Sequence, residues 1–210
     1  KDLDKAIEID PEESSSLEFR GRTKYLLNKF EEAVKDLDKA IEIDPEESTS
    51  WEFRGYIHLK KQNYDLSEKD FKKAYEINTN QARFNNNIGK IYYQKEDYYS
   101  AIKHYLKGLN IDPINYLIYA NMSLAKFKLG NHKDSLDDLK KSQELFKENS
   151  KKEFLSIFDD KDINHVLKIY ELNNDLKALE TILKFMKKNK INDINYKLGI
   201  LYFKNGDFYN

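Results

Sequence analysis

The side chains able to do chemistry are few, and their spacing argues against most of what they could do. Four histidines are present, His58, His104, His132 and His165. Two histidines four apart on one helix face, with a glutamate beside the first, would bind zinc and activate water. No two of these stand at that spacing. Cysteine is absent, which excludes disulfides and thiolate-bound metal. No Gly-rich phosphate loop and no G-x-S-x-G elbow occurs. Carboxylates are abundant, but they lie among lysines at helical spacings, as with Asp36, Asp38 and Lys39. That is the pattern of a solvated helix face. The expectation is a protein that is not an enzyme and needs neither cofactor nor metal.

What remains is recognition, and composition narrows it. The formal net charge is -1, without the basic excess of a general nucleic-acid binder, so no nucleic-acid partner is expected. No apolar run reaches the roughly 20 residues that span a bilayer. Hydrophobic residues make up 40% and charged residues 35%. That balance suits amphipathic helices with much surface relative to core.

The elements that must position any site repeat through the chain. Residues 1–14 and 35–48 both read KDLDKAIEIDPEES, an offset of 34. Leu17-Glu18-Phe19-Arg20-Gly21 is followed 34 residues on by Trp51-Glu52-Phe53-Arg54-Gly55. The three prolines, Pro11, Pro45 and Pro113, are spaced 34 and 68 apart. Gly21, Gly55 and Gly89 keep the same phase, with Ser123 in the fourth place. Small residues recur at Ala33, Ser67, Ala101 and Ser135, and large apolar ones at Leu37, Phe71, Tyr105 and Leu139. A glycine inside a helix costs about 1 kcal/mol relative to alanine. Its return at one phase predicts that another helix backbone comes close there. Each unit reads as two helices of roughly 12–15 residues, marginal alone and stable only when stacked.

These columns resemble the tetratricopeptide repeat, a family of 34-residue helical hairpins. Residues 82–115 match best through Ile88-Gly89, Tyr92, Tyr98, Ala101, Tyr105, Gly108 and Pro113. Arg20 and Arg54 depart from the usual leucine column, and Lys24, His58 and Lys126 from the tyrosine column. Arg20 and Arg54 are expected to reach acids such as Asp36 or Asp38 on a second helix. The resemblance implies an all-α fold, a right-handed α-α superhelix of antiparallel hairpins. It divides the chain into the second helix of a truncated repeat at 1–13 and full repeats at 14–47, 48–81, 82–115 and 116–149. A degenerate helical pair follows at 150–191, with an insertion around Ser150 to Asn164 and with Ala178, Ile182 and Phe185 on its second helix. The first helix of a further, truncated repeat occupies 192–210. The open ends should expose Leu3, Ala6 and Ile7 at one side and Leu201 and Phe208 at the other.

The resemblance also implies a concave groove lined by first helices and holding a peptide or protein segment. Its columns fall on Glu18, Arg22 and Tyr25, then Glu52, Tyr56 and Leu59, then Arg83, Asn86, Lys90 and Tyr93, then Leu117, Ala120, Leu124 and Phe127. Tyr25, Leu59, Tyr93 and Phe127 form one column, an aromatic and apolar ladder that is expected to have one face packed and one open. The charges run from acidic or balanced in the first two units to basic in the third. They suit a ligand of mixed or partly acidic character. Some family members clamp the C-terminal carboxylate of a chaperone. Of the places such a clamp needs, Glu18, Arg22, Phe53, Arg83 and Asn87, only Arg83 keeps the required charge, so that subtype is not expected. The alternative to a binding module is a scaffold that self-associates head to tail through its open ends. The partner cannot be named from sequence; a cytoplasmic setting fits the lack of cysteine.

Overall fold

Each 34-residue stretch folds as two helices because its apolar residues recur three and four apart and its break points suit turns. The computed structural model describes residues 13–149, 154–158, 160–173 and 175–188. Among these residues there are ten α-helices and no strand. They are α1 (Ser14–Leu26), α2 (Phe30–Ile43), α3 (Ser48–Lys60), α4 (Tyr64–Ile77), α5 (Ala82–Gln94), α6 (Tyr98–Ile111), α7 (Tyr116–Lys128), α8 (His132–Asn149), α9 (Asp160–Leu172) and α10 (Leu176–Lys188). A 3-10 turn, Phe154–Ile157, stands before α9. The expectations for residues 1–12 and 192–210, with Leu3, Ala6, Ile7, Leu201 and Phe208, lie outside the described residues.

The chain divides into two compact units, Lys1–Pro113 and Ile114–Asn210. In the first, α1 packs on α2, α3 on α4 and α5 on α6; α2 also meets α3, α4 meets α5, and α1 meets α3. Buried Ala33, Leu37 and Ile57 form one core cluster there, and Phe71, Ala74, Phe84, Ile88 and Ile91 a second. In the second unit, α7 packs on α8 and α9 on α10, while α9 also touches α7 and α8. Of the stretch expected as an insertion, 150–164, the described part is the 3-10 turn and the start of α9, and α8 before it has 18 residues against 14 in α2. Ala178, Ile182 and Phe185 lie on α10, with Ile182 and Met186 buried.

The glycine column has a different cause from the one its phase suggests. A Cβ on Gly55 would stand 3.2 Å from the Phe71 ring, and one on Gly21 would stand 2.8 Å from Leu37. On Gly89 it would overlap the Tyr105 ring. The close neighbour is therefore mainly the large side chain of the hairpin's second helix, not its backbone. Where Leu139 fills that place, the opposing residue is Ser123, and Ser135 Oγ donates to the Ser123 carbonyl at 2.8 Å. Ser67 does the same to Gly55 at 2.8 Å.

The turn inside each of the four hairpins is closed by one left-handed residue. Asn28, Gln62 and Glu96 have φ of 58°, 60° and 62°, and Gly130 has φ 81°. The following amide bonds back five residues: Lys29 to Lys24 O and Asp97 to Tyr92 O, both at 2.9 Å. This closure satisfies carbonyls that the helix end would leave open.

Candidate functional site

The first helices of the first unit carry a connected set of polar and aromatic side chains. Glu52 on α3 is 4% exposed. Arg83 on α5 donates to it through Nε at 2.7 Å and Nη2 at 3.0 Å, a two-pronged ion pair between consecutive hairpins. Tyr56 Oη donates to the same carboxylate at 3.0 Å and accepts from Asn87 Nδ2 at 3.0 Å. Burial raises the Tyr56 phenol well above its usual range, with the Glu52 charge adding to it, so it stays a neutral donor. Its ring packs edge-on to Phe71, with centroids 5.1 Å apart, and Tyr25 stacks on it at 6.1 Å.

One hairpin earlier the same positions are filled differently. Arg22 lies over Phe19 at 5.1 Å and over Phe53 at 5.0 Å, so its guanidinium sits against two rings. Glu18 is 7% exposed and touches Arg22 Nη1 at 3.3 Å. Burial raises its carboxyl above the ordinary value; Arg22 opposes that shift, while Glu47 adds to it. Where Arg83 clamps Glu52, the equivalent residue facing Glu18 is Thr49, one period earlier.

Among the expected groove residues, Tyr25, Leu59 and Tyr93 are half-buried. Tyr25 also packs edge-on to Phe53 at 5.5 Å, Leu59 rests on the second core cluster, and Tyr93 meets Tyr98 at 5.5 Å. Asn86 is half-buried and Lys90 exposed. In the second unit, Phe127 is half-buried between His132, 5.3 Å away, and His165, 6.0 Å away. Leu124 is only 2% exposed, so its side chain belongs to the core and offers no accessible surface. Ala120 is buried as well, whereas Leu117 is 39% exposed. The participation of Asn87 and Phe53 was not anticipated. Its signal is a separation of 31, since Asn87–Tyr56 and Arg83–Glu52 both join a residue to one a repeat earlier and a turn along.

The departures from the leucine and tyrosine columns are resolved by the second helices. Arg20 donates to both oxygens of Asp36 at 2.8 Å. Arg54 does the same to Asp70, at 3.0 and 2.8 Å, and reaches back to Asp38 at 2.7 Å. Lys24 pairs with Asp36 at 2.8 Å, Lys126 with Asp138 at 2.6 Å, and His58 stands 3.7 Å from Asp70. In the third hairpin the pair becomes Tyr92 stacked on His104, centroids 5.3 Å apart. Burial, followed by the charge of Lys107, lowers the pKa of His104 to about 4.

No group of three or more His, Cys, Asp or Glu could hold a metal among the described residues. No helix there is long and apolar enough to cross a membrane.

Comparison with known proteins agrees with this architecture. A family model described as tetratricopeptide repeat matches residues 20–82, and one described as TPR repeat matches residues 89–130. No curated protein matches. Among solved structures, the chain is similar to MamA, at 21% identity and a TM-score of 0.65, over 71% of this chain and 88% of that one. It is similar to YrrB, described as a TPR protein with an unusual peptide-binding site, at 15% identity and a TM-score of 0.65 over 98% of each chain. It is also similar to the hetero-tetramer Cut9-Hcn1 of the APC/C, at 12% identity and a TM-score of 0.80, over 97% of this chain and 39% of that one.

Proposed function

Because the chain belongs to the tetratricopeptide-repeat family, whose repeats are typically non-catalytic modules of protein–protein interaction, we propose that it binds a peptide or protein segment on its first-helix face. The observation that carries this reading is the fixed array running from α1 to α5. Arg83 and Asn87 lock Glu52 and Tyr56 from the next hairpin, and Tyr25 and Phe53 pack the rings beside them. A surface ordered before binding loses less entropy on binding. Arg83 is still 48% exposed and Arg22 39%, so each guanidinium stays within reach of a ligand; Arg83 Nη1 donates to the Gln81 side chain, a partner that a ligand carboxylate would displace. The ligand suited to this face is an extended segment. Its apolar side chains would lie along Tyr25, Tyr56, Leu59 and Tyr93, and its acidic group would meet Arg83, Asn86 and Lys90. YrrB, with its own peptide site, supports the reading by likeness of fold.

The test is selection of peptides from a displayed random library on the immobilised chain. Recovered peptides are then titrated against wild type and a Lys90→Glu/Tyr93→Ala variant, with circular dichroism showing both folded. Peptides enriched in acidic residues beside aromatic or aliphatic ones, and losing affinity about tenfold or more on the variant, are expected. Equal affinity for both proteins would remove the first-helix face from consideration.

A further inference from the structure

The outer stripe of α6 differs from its counterparts in the other hairpins. Tyr99, Lys103, Leu106 and Asn110 stand at successive spacings of four, three and four, one face of a helix, with Lys107 beside them. All five are exposed, Tyr99 at 76% and Leu106 at 50%. One period earlier and two periods earlier this stripe alternates in charge. Where α6 has Tyr99 and Asn110, α4 has Asp65 and Glu76, and α2 has Glu31 and Glu42. Where α6 has Leu106, α2 has Asp38 and α4 Lys72. The lysines stay: Lys35, Lys69 and Lys103 share one place, and Lys39, Lys73 and Lys107 another. In α8 the stripe again carries acids, Asp137 and Glu144.

Those acids have work in the earlier hairpins. Glu31 pairs with Lys61 at 2.5 Å, Asp65 with Lys95 at 2.7 Å and Asp38 with Arg54 at 2.7 Å. On α6 every such acid is gone while both lysines remain, and neither lysine has an acidic partner within 4 Å among the described residues. Their field reaches inward as well, since Lys107 and Lys103 both disfavour charge on His104. An exposed tyrosine and leucine flanked by uncompensated lysines are unlike a plain solvated face.

We infer that the α6 stripe of Tyr99, Lys103, Leu106 and Lys107 is a second interaction surface, and that its partner is an acidic amphipathic helix. Such a helix would lay apolar residues against Tyr99 and Leu106 and carboxylates against Lys103 and Lys107. None of these residues belongs to the first-helix face, so this surface stands or falls independently of the peptide site proposed above.

The probes are two synthetic, fluorescein-labelled amphipathic helices with the same leucine stripe, one flanked by glutamates and the other by lysines. The variant is Tyr99→Asp/Leu106→Lys, which installs the residues that α4 already carries at those places and therefore leaves the hairpin foldable. Fluorescence anisotropy should show the glutamate helix bound by wild type, at least about tenfold weaker on the variant, and weakened by added salt. The Lys90→Glu/Tyr93→Ala protein should bind it like wild type. The inference is overturned if the glutamate helix does not bind, if both probes bind alike, or if the α6 variant binds like wild type. It is also overturned if wild type self-associates in sedimentation and the variant does not, because the stripe would then serve a second copy of the chain.

Discussion

Glu18 and Glu68 are both carboxylates held against helices, yet acid acts on them with opposite sign. Burial would raise the Glu68 carboxyl, but hydrogen bonds from Lys72, Tyr92 and Lys95 outweigh it and hold the value at about 2, against an ordinary 4.5. Its contribution to stability is present above the ordinary value and is lost as pH falls toward about 2. Glu18 is raised by burial, so it favours the fold only below the ordinary 4.5, and that contribution disappears as pH rises through the shifted value. Glu18→Gln is therefore expected to raise the thermal midpoint at pH 7 and to leave it unchanged at pH 3. Glu68→Gln should lower the midpoint at pH 7 and flatten the acid limb of the stability curve. Thermal melts across pH check both, and a fall at pH 7 for Glu18→Gln would overturn its half. The glycine column permits a further test at single residues. Gly89→Ala forces a methyl into the fully buried Tyr105 ring and should cost about 1–3 kcal/mol in urea unfolding. Gly55→Ala, whose methyl would stand 3.2 Å from Phe71, should cost less.

At the scale of elements, the hairpin turn and the helix-to-helix ion pairs decide the outcome. Gln62 and Glu96 hold left-handed backbone that a side chain disfavours by about 1–2 kcal/mol. Glycine at either place should stabilise the hairpin, by up to about 1 kcal/mol after its greater freedom in the unfolded chain is counted. Gly130→Ala should destabilise through backbone strain alone, because no atom lies within 4 Å of the new methyl. Asp70 is 2% exposed and answers Arg54 with both oxygens. Asp70→Ala should cost about 3 kcal/mol or somewhat less, since it leaves a half-buried guanidinium with only Asp38. Asp70→Leu combined with Arg54→Leu should recover most of that loss. The helices and the Arg20–Asp36 pairing were legible in the sequence because period and charge sign are both local properties of a repeat. The clamp of Arg83 on Glu52 was not, because its partners stand 31 residues apart and belong to different hairpins. Nor was the burial of Leu124 legible, since its column holds the half-buried Arg22 and Tyr56 and the exposed Lys90 elsewhere, and only packing decides which members are covered.

Over the whole molecule, each of the two units carries its own buried core. In the first, the two clusters around Leu37 and Phe71 are built from residues between Ala33 and Ile91. A fragment ending at Pro113 is expected to keep helical circular dichroism and to unfold cooperatively; a featureless melt would show that its core is insufficient. In repeat arrays stability is close to a sum of repeat and nearest-neighbour terms, so such a fragment should keep a transition of its own.

The matched columns that join the two helices of a hairpin reach beyond stability. Lys24 answers Asp36, Lys126 answers Asp138, and Tyr92 answers His104. Were α5 spliced in front of α4, Ile88 and Tyr92 would replace Arg54 and His58, and Asp70 would lose the cation that neutralises it. Copying or losing a whole hairpin keeps every such match, whereas a crossover within the turn between the second and third hairpins destroys one. The hairpin, rather than the helix, is thus the smallest stretch of coding sequence whose duplication or loss leaves these within-hairpin matches intact, and the identical blocks at 1–14 and 35–48 lie one such stretch apart.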